Sequence, residues 1–278
     1  MRVEILLAVP LLLSCTGTTG YQLVSFYAVG EGAADAQPGQ PYTFTSDRFR
    51  ISLTKAVLHV GAMYLDESLP TSGAAQSTCT LPGTYVGEVR AGRDIDMLDP
   101  SPQPFPILDG LGSPADGSTI PALVGQVWLS GPDVNSTAEQ TAPHSILPAV
   151  LLVEGTATNT TDSTTYPFAG SISIQPGNAG SNKALPGTNA ICEQRIVSQV
   201  RVDVTLSQGG TLILHLDPKP LFTKVDFAGF SAPFSKDPLL YAFQDKGTSD
   251  TDQPSVKLYE NLRASGPVYR FQWQPASR

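Results

Sequence analysis

The chain has little of what most catalytic or nucleic-acid-binding proteins are built with. It holds three histidines and three cysteines in 278 residues, and charged residues make up 15% of it. The histidines, His59, His144 and His215, fall in separate stretches, and there is no Cys-x-x-Cys, His-Glu-x-x-His, phosphate loop or dinucleotide fingerprint. Lys and Arg number 17 against 25 Asp and Glu, a formal net charge of -8. Phosphate contacts need clustered cations, so no nucleic acid is expected as a partner. Downstream of the N-terminal stretch no run is apolar enough, for long enough, to span a bilayer. No run suits a long helix either. What is abundant is Gly (25) and Pro (24), the composition of a turn-rich extracytoplasmic β protein.

The N-terminal stretch is a short apolar run, Ile5 to Leu13, broken by Pro10, preceded by Arg2 and followed by Ser14-Cys15. A positive flank, a short apolar segment and a small residue before the cleavage point make a signal peptide. Ending on Leu12-Leu13-Ser14-Cys15, it resembles a bacterial lipoprotein signal. The resemblance implies that the Cys15 thiol carries a diacylglyceryl group and that the chain is cut before Cys15. The other reading is an ordinary secretory signal, cleaved near Thr16 to Gly20 with Cys15 unmodified. Two or more acyl chains, at ~0.8 kcal/mol per buried methylene, hold a protein stably on a membrane. Thr16 follows the cysteine where an aspartate would indicate inner-membrane retention, so the expected address is the outer membrane, with the membrane itself as partner through the lipid. Residues 1–14 are then the signal, 15–20 a short tether, and 21–278 one domain.

Lipidation of Cys15 leaves Cys79 and Cys192, an even pair in a compartment that permits oxidation. A Cys79 to Cys192 disulfide is the expected outcome. Two free thiols or a metal pair are the alternatives. Closing so long a loop is worth roughly 4 to 5 kcal/mol in the chain-entropy model.

Period-2 alternation predicts the strands. Tyr21 to Val29 comes first, followed by a loop over Gly30 to Gln40. Phe49, Ile51 and Leu53 form one face of the next strand. Ala56, Leu58, Val60, Ala62 and Tyr64 continue it in shifted phase, with a bulge expected near Thr54-Lys55. Tyr85 to Val89 and Val124 to Leu129 are short strands; Asp94 to Thr119 and Ser130 to Pro148 read as long loops. Ala149 to Thr158 and Thr164 to Gln175 read as a hairpin, with Pro167 marking an edge position or a bulge. Val200 to Leu216 reads as a second hairpin about Gln208-Gly209-Gly210, with Leu206 opposite Leu212 and Asp203 opposite His215. Lys219 to Phe230 is a turn with apolar anchors, and Tyr269, Phe271 and Trp273 line a closing strand. Many short strands with Gly/Pro turns predict an all-β fold, an antiparallel two-sheet β-sandwich of Ig-like or related type with long Pro/Gly-rich loops.

Candidate chemistry is sparse. His59 and Met63 share a predicted strand face, but residues four apart on a strand stand ~13 Å apart along it, too far for two ligands of one metal. Asp94, Asp96 and Asp99, with Asp109 and Asp116, are the best candidate for calcium; Leu98 and Asp99 stand where an EF-hand needs a ligand and a glycine, and a solvated acidic loop is expected instead. Gly229-Phe230-Ser231-Ala232-Pro233 lacks the last glycine of a nucleophile elbow. Asn135 and Asn159 head Asn-x-Ser/Thr triplets, which matter only in a glycosylating pathway. The run Val202-Asp203-Val204-Thr205-Leu206 through Leu212 to Leu221-Phe222 is similar to the C-terminal part of periplasmic copper-binding proteins of the methanobactin-associated (MbnP) family. That resemblance implies a β fold and transfers no ligand. The expectation is a lipid-anchored cell-envelope protein with a non-catalytic binding or structural role, no metal site and no cofactor; the alternative is a periplasmic copper or calcium carrier.

Overall fold

Alternation begins with β1 (Leu23–Glu31), where Val24, Phe26 and Ala28 are buried while Leu23 and Tyr27 are exposed. The computed structural model describes residues 22–68, 85–107, 115–129, 149–173, 197–243, 252–263 and 267–277. Around β1 a nine-stranded sheet forms from β4 (Ala62–Asp66), β5 (Tyr85–Val89), β7 (Gln103–Pro104), β8 (Ala115–Ser118), β9 (Ala122–Trp128), β12 (Val197–Val204), β13 (Thr211–Leu216) and β16 (Tyr269–Gln274). Its order is β12-β9-β4-β5-β8-β1-β13-β16, with β7 on β1. The sheet curls until its terminal strands, β12 and β16, lie beside each other. A second sheet of seven strands holds β2 (Tyr42–Ser46), β3 (Phe49–Val60), β6 (Arg93–Asp96), β10 (Ala149–Asn159), β11 (Thr165–Ser173), β14 (Ser235–Lys236) and β15 (Leu239–Phe243), ordered β14-β15-β11-β10-β3-β2 with β6 on β3. The all-β, two-sheet expectation therefore holds, and one apolar core cluster runs through both sheets.

Several local expectations hold for the reasons that motivated them. Thr54 is the extra residue of a bulge: Lys55 pairs with Glu154 and Leu53 with Gly155. Gly155 suits the place, since a Cβ there would stand 2.3 Å from the Ser52 carbonyl oxygen. The β10–β11 hairpin forms about residues 160–164, and β15 covers β11 only from Phe168 to Gly170, so Pro167 stands just past the end of that pairing. Lys219–Phe222 and Phe227–Gly229 are single 3₁₀ turns. Their Phe222 and Phe227 pack with Phe168 at centroid distances of 5.8 and 5.2 Å.

Other expectations are corrected. Ala62 and Tyr64 do not continue β3. The chain leaves one sheet and enters the other at Gly61, whose amide donates to the Trp128 carbonyl. The stretch from Asp94 to Thr119 is not one loop, because β6, β7 and β8 lie in it. The sheets are not wholly antiparallel: β1 runs parallel to β13 and β11 parallel to β15.

The hairpin over Val200 to Leu216 does not form. Val202, Val204, Leu206, Leu212, Leu214 and Leu216 are all buried, as the alternation requires. Yet β12 pairs with β9, while β13 pairs with β1 and β16. The intended turn is taken by β1 instead: Ser25 accepts from the Gly209 amide, and Tyr27 donates to the Gly210 carbonyl.

A helix not expected from the periodicity, α1 (Gln253–Arg263), packs Leu258 and Leu262 into the core. Asp252 accepts from the Ser255 amide at 3.0 Å and caps it. Asn261 ties α1 to the first 3₁₀ turn, donating to the Leu221 and Thr223 carbonyls at 2.9 and 2.8 Å.

Candidate functional site

Three glycines define the inward side of the first sheet. A Cβ on Gly87 or Gly117 would strike Leu206, and one on Gly125 would strike the Phe271 ring. The residues that alternate with them face outward. Cross-strand register then lines up Gln199 of β12, Gln126 of β9, Tyr64 of β4, Glu88 of β5 and Asp116 of β8 in one transverse row. Asp66 and Trp128 stand two residues from that row on β4 and β9. An outward face is ordinarily solvated, but here Asp66 is 1% exposed, Gln126 0%, Trp128 4% and Tyr64 6%.

A chain of side-chain hydrogen bonds runs across the face. Trp128 Nε1 donates to Gln126 Oε1 at 2.9 Å, and Gln126 Nε2 donates to Asp66 Oδ2 at 2.5 Å. Tyr64 packs its ring 4.8 Å from Trp128 on one side and 4.8 Å from Tyr85 on the other. Asp66 is only half satisfied, because its Oδ1 is buried without a partner. Burial pushes the Asp66 carboxyl up to about 6, against the opposing pull of the Gln126 hydrogen bond. Gln199 Nε2 and Ser118 Oγ are likewise buried and unpartnered. By alternation with Gly117 and by register with Gln126, both belong to the same face. Buried polar atoms are ordinarily paired, and these three exceptions share one side of one sheet.

Of the residues singled out from sequence, Asp116 stands in this row; the other described ones lie elsewhere. Cys15, Cys79, Cys192, His144, Asp109 and Asn135 are outside the described residues. His59 and Met63 do not share a face, since His59 is on β3 and Met63 on β4, in different sheets. His59 is 2% exposed, with Nδ1 2.6 Å from Asp94 Oδ1. Asp94 is thus held on β6 by an imidazole and is not part of a solvated loop. Asp96 Oδ1 accepts from the Leu98 amide and Asp99 Oδ1 from the Ser101 amide, each shaping its own turn. Asp116 accepts from Ser25 Oγ. No group of three His, Cys, Asp or Glu side chains converges among the described residues.

His215 is not beside Asp203. Its Nδ1 lies 3.1 Å from Glu31 and its Nε2 3.0 Å from Gln272 Oε1, across β1, β13 and β16. Ser231 follows the second 3₁₀ turn, not a strand-to-helix elbow. Asn159 is 6% exposed, and its Oδ1 accepts from the Thr161 amide within the hairpin turn.

The residues that sequence reasoning missed are Asp66, Gln126, Trp128 and Gln199. A polar residue inside the apolar run Val124-Gly125-Gln126-Val127-Trp128 was the available signal. Its partner Asp66 is 60 positions away and comes to it through the β4–β9 pairing.

No family model matches the chain, and no curated protein matches it. Among solved structures it is similar to MbnP from Methylosinus trichosporium, with 11% of residues identical, 91% of this chain and 99% of that chain covered, and a TM-score of 0.39. A likeness so distant transfers neither a fold nor a functional residue.

Proposed function

We propose that the protein is a lipid-anchored, non-catalytic binding protein of the cell envelope that holds its ligand on the outward face of the β12-β9-β4-β5 strands. The observation that carries this reading is the Asp66 carboxylate, buried at 1% exposure with one oxygen unpartnered. Leaving a buried acceptor unmet costs ~1–3 kcal/mol, and more for a charged group. Local rules broken in this way are expected at functional positions. Tyr64, Tyr85 and Trp128 stand beside it, and a few convergent polar groups among aromatic side chains are the usual make-up of a ligand site.

Anchorage rests on Leu12-Leu13-Ser14-Cys15 and on the nearness of β1 to it. Thr16 to Gln22 separate Cys15 from Leu23, a tether of at most about 25 Å fully extended. Outer-membrane attachment follows from Thr16 as above. The Cys79 to Cys192 bridge belongs to the same proposal: Cys79 lies in the connection from β4 to β5, and Cys192 in the connection that ends at β12, all strands of one sheet. Reduction should therefore lower the melting temperature, and an unchanged melt would remove the bridge.

Two measurements test the reading. Intact mass of membrane-extracted protein should show a chain beginning at acylated Cys15; an unacylated Cys15 would defeat the anchor. A thermal-shift screen of small molecules should find compounds that raise the melting temperature of the wild type and leave Asp66→Asn unmoved. A screen in which no compound separates the two proteins would count against the site.

A further inference from the structure

Resting on the lipid anchor proposed above, we infer that the end of the first sheet holding Leu23, Tyr85 and Leu123 lies against the bilayer that carries the lipid. The domain is then held at the membrane surface by apolar side chains as well as by its acyl chains. Register brings the three residues to one end. Leu23 of β1 pairs with Ser118 of β8, and Thr119 just beyond donates its amide to the Gln22 carbonyl. Gly117 pairs with Gly87, which sets Tyr85, two residues earlier on β5, level with Thr119. Tyr85 in turn pairs with Asp66, and Asp66 with Val124, the residue after Leu123. From β1 through β8, β5 and β4 to β9 is four strand steps, about 19 Å at ordinary strand spacing.

Exposure and the tether single this end out. Leu23 is 83% exposed, more than any other large hydrophobic among the described residues, with Tyr85 at 44% and Leu123 at 40%. The short connection from β8 to β9 adds exposed Pro121. Single apolar side chains are normal on a surface, but these stand where the chain leaves for Cys15. Thr16 to Gln22 span at most about 25 Å, so an acylated Cys15 keeps Leu23 within that distance of the headgroups. A flexible tether this short gives the patch an effective concentration on the order of millimolar. A few apolar groups too weak to hold a membrane alone are then enough. Tyrosine suits such a boundary, where one part of the side chain is apolar and the hydroxyl is wet. Among the described residues of this end the exposed charges are Glu67, Asp116, Asp203 and Arg201. With one cation among three anions, the contact is apolar and draws nothing from anionic headgroups.

The experiment uses the full membrane-extracted chain carrying Trp273→Phe, which keeps a ring against Phe26 and leaves the buried Trp128 as background. The reporters are Leu23→Trp and, for comparison, Arg270→Trp. Arg270 is exposed and pairs with His215, which pairs with Glu31, eight residues along β1 from Leu23 and about 26 Å from it. Each chain is placed in phosphatidylcholine vesicles with brominated acyl chains, which quench tryptophan on contact. Quenching well above that of the parent chain is expected for Leu23→Trp and none above it for Arg270→Trp. Adding Leu123→Glu to the Leu23→Trp chain should lower the quenching, while the protein still floats with the vesicles on its acyl chains. Admixed phosphatidylglycerol should not raise it. A Leu23→Trp chain that floats yet is quenched no more than its parent, or no more than Arg270→Trp, overturns the docked end and leaves the anchor standing. Quenching that Leu123→Glu leaves unchanged, or that needs phosphatidylglycerol, overturns the apolar contact. A chain that stays off the vesicles and shows no acyl group by intact mass takes the anchor and the docked end down together.

Discussion

Two outward patches of the same sheet are built on opposite plans. Over β1, β13 and β16, His215 has an acceptor at each ring nitrogen, Glu31 and Gln272, and the His215 and Glu31 side chains are 19% and 20% exposed. Over β9 and β4, Asp66, Gln126 and Trp128 are sealed from water, and the acidic end of their hydrogen-bond chain is left open. Both patches use a carboxylate and a glutamine. In the first, water and the imidazole both reach the carboxylate; in the second a single carboxamide does. The contrast shows that burial, more than residue type, decides which polar cluster stores unfavourable free energy.

That difference can be broken by mutation. The largest effect is expected from Trp128→Ala, which removes a buried ring packed on Tyr64 and should cost about 3–5 kcal/mol in a urea melt. A cost below about 1 kcal/mol would mean the patch is not sealed. Next, Asp66→Asn should stabilise the protein by about 3 kcal/mol near neutral pH. This magnitude comes from a carboxyl raised from 3.8 to about 6, at 1.36 kcal/mol per unit. The folded value lies above the unfolded one, so the stability contributed by Asp66 is complete below pH 3.8 and is lost as pH rises through about 6. The gain from Asp66→Asn should therefore shrink to nothing at low pH.

Gln126→Leu should cost about 2 kcal/mol by urea melt, because it strips Asp66 Oδ2 and Trp128 Nε1 of their partner. It should also push the Asp66 carboxyl higher, which a shifted pH–stability curve would reveal. The smallest effect belongs to the other patch: His215→Ala should change stability by less than about 1 kcal/mol, as the loss of partly exposed polar contacts does. If His215→Ala proved as costly as Trp128→Ala, the contrast between the two patches would collapse.

The legible parts of the fold were those governed by single-strand alternation. β1, the bulged β3, the β10–β11 hairpin and the aromatic row of β16 follow from period 2 and turn chemistry alone. Alternation states which side of a strand is apolar and is silent on its neighbour. That is why Val202 to Leu216 yielded the right buried residues and the wrong pairing. In place of that hairpin, β16, from the far end of the chain, lies between β13 and β12. Helix α1 had its signals, Asp252 as cap and Pro254 in the first turn, but its apolar stripe is short: Leu258 and Leu262 enter the core and Tyr259 packs against it. The candidate site was the least legible part. Asp66 reads as the polar end of a strand and Gln126 as an ordinary interruption, and neither is unusual until β4 and β9 pair.

The most direct test of a sealed, half-satisfied carboxylate is the stability difference between the wild type and Asp66→Asn, measured by urea unfolding at pH 4 and again at pH 7.5. A variant nearly matched with the wild type at pH 4 and clearly more stable than it at pH 7.5 is the expected result. An equal difference at both values, or a variant less stable at pH 7.5, would contradict it.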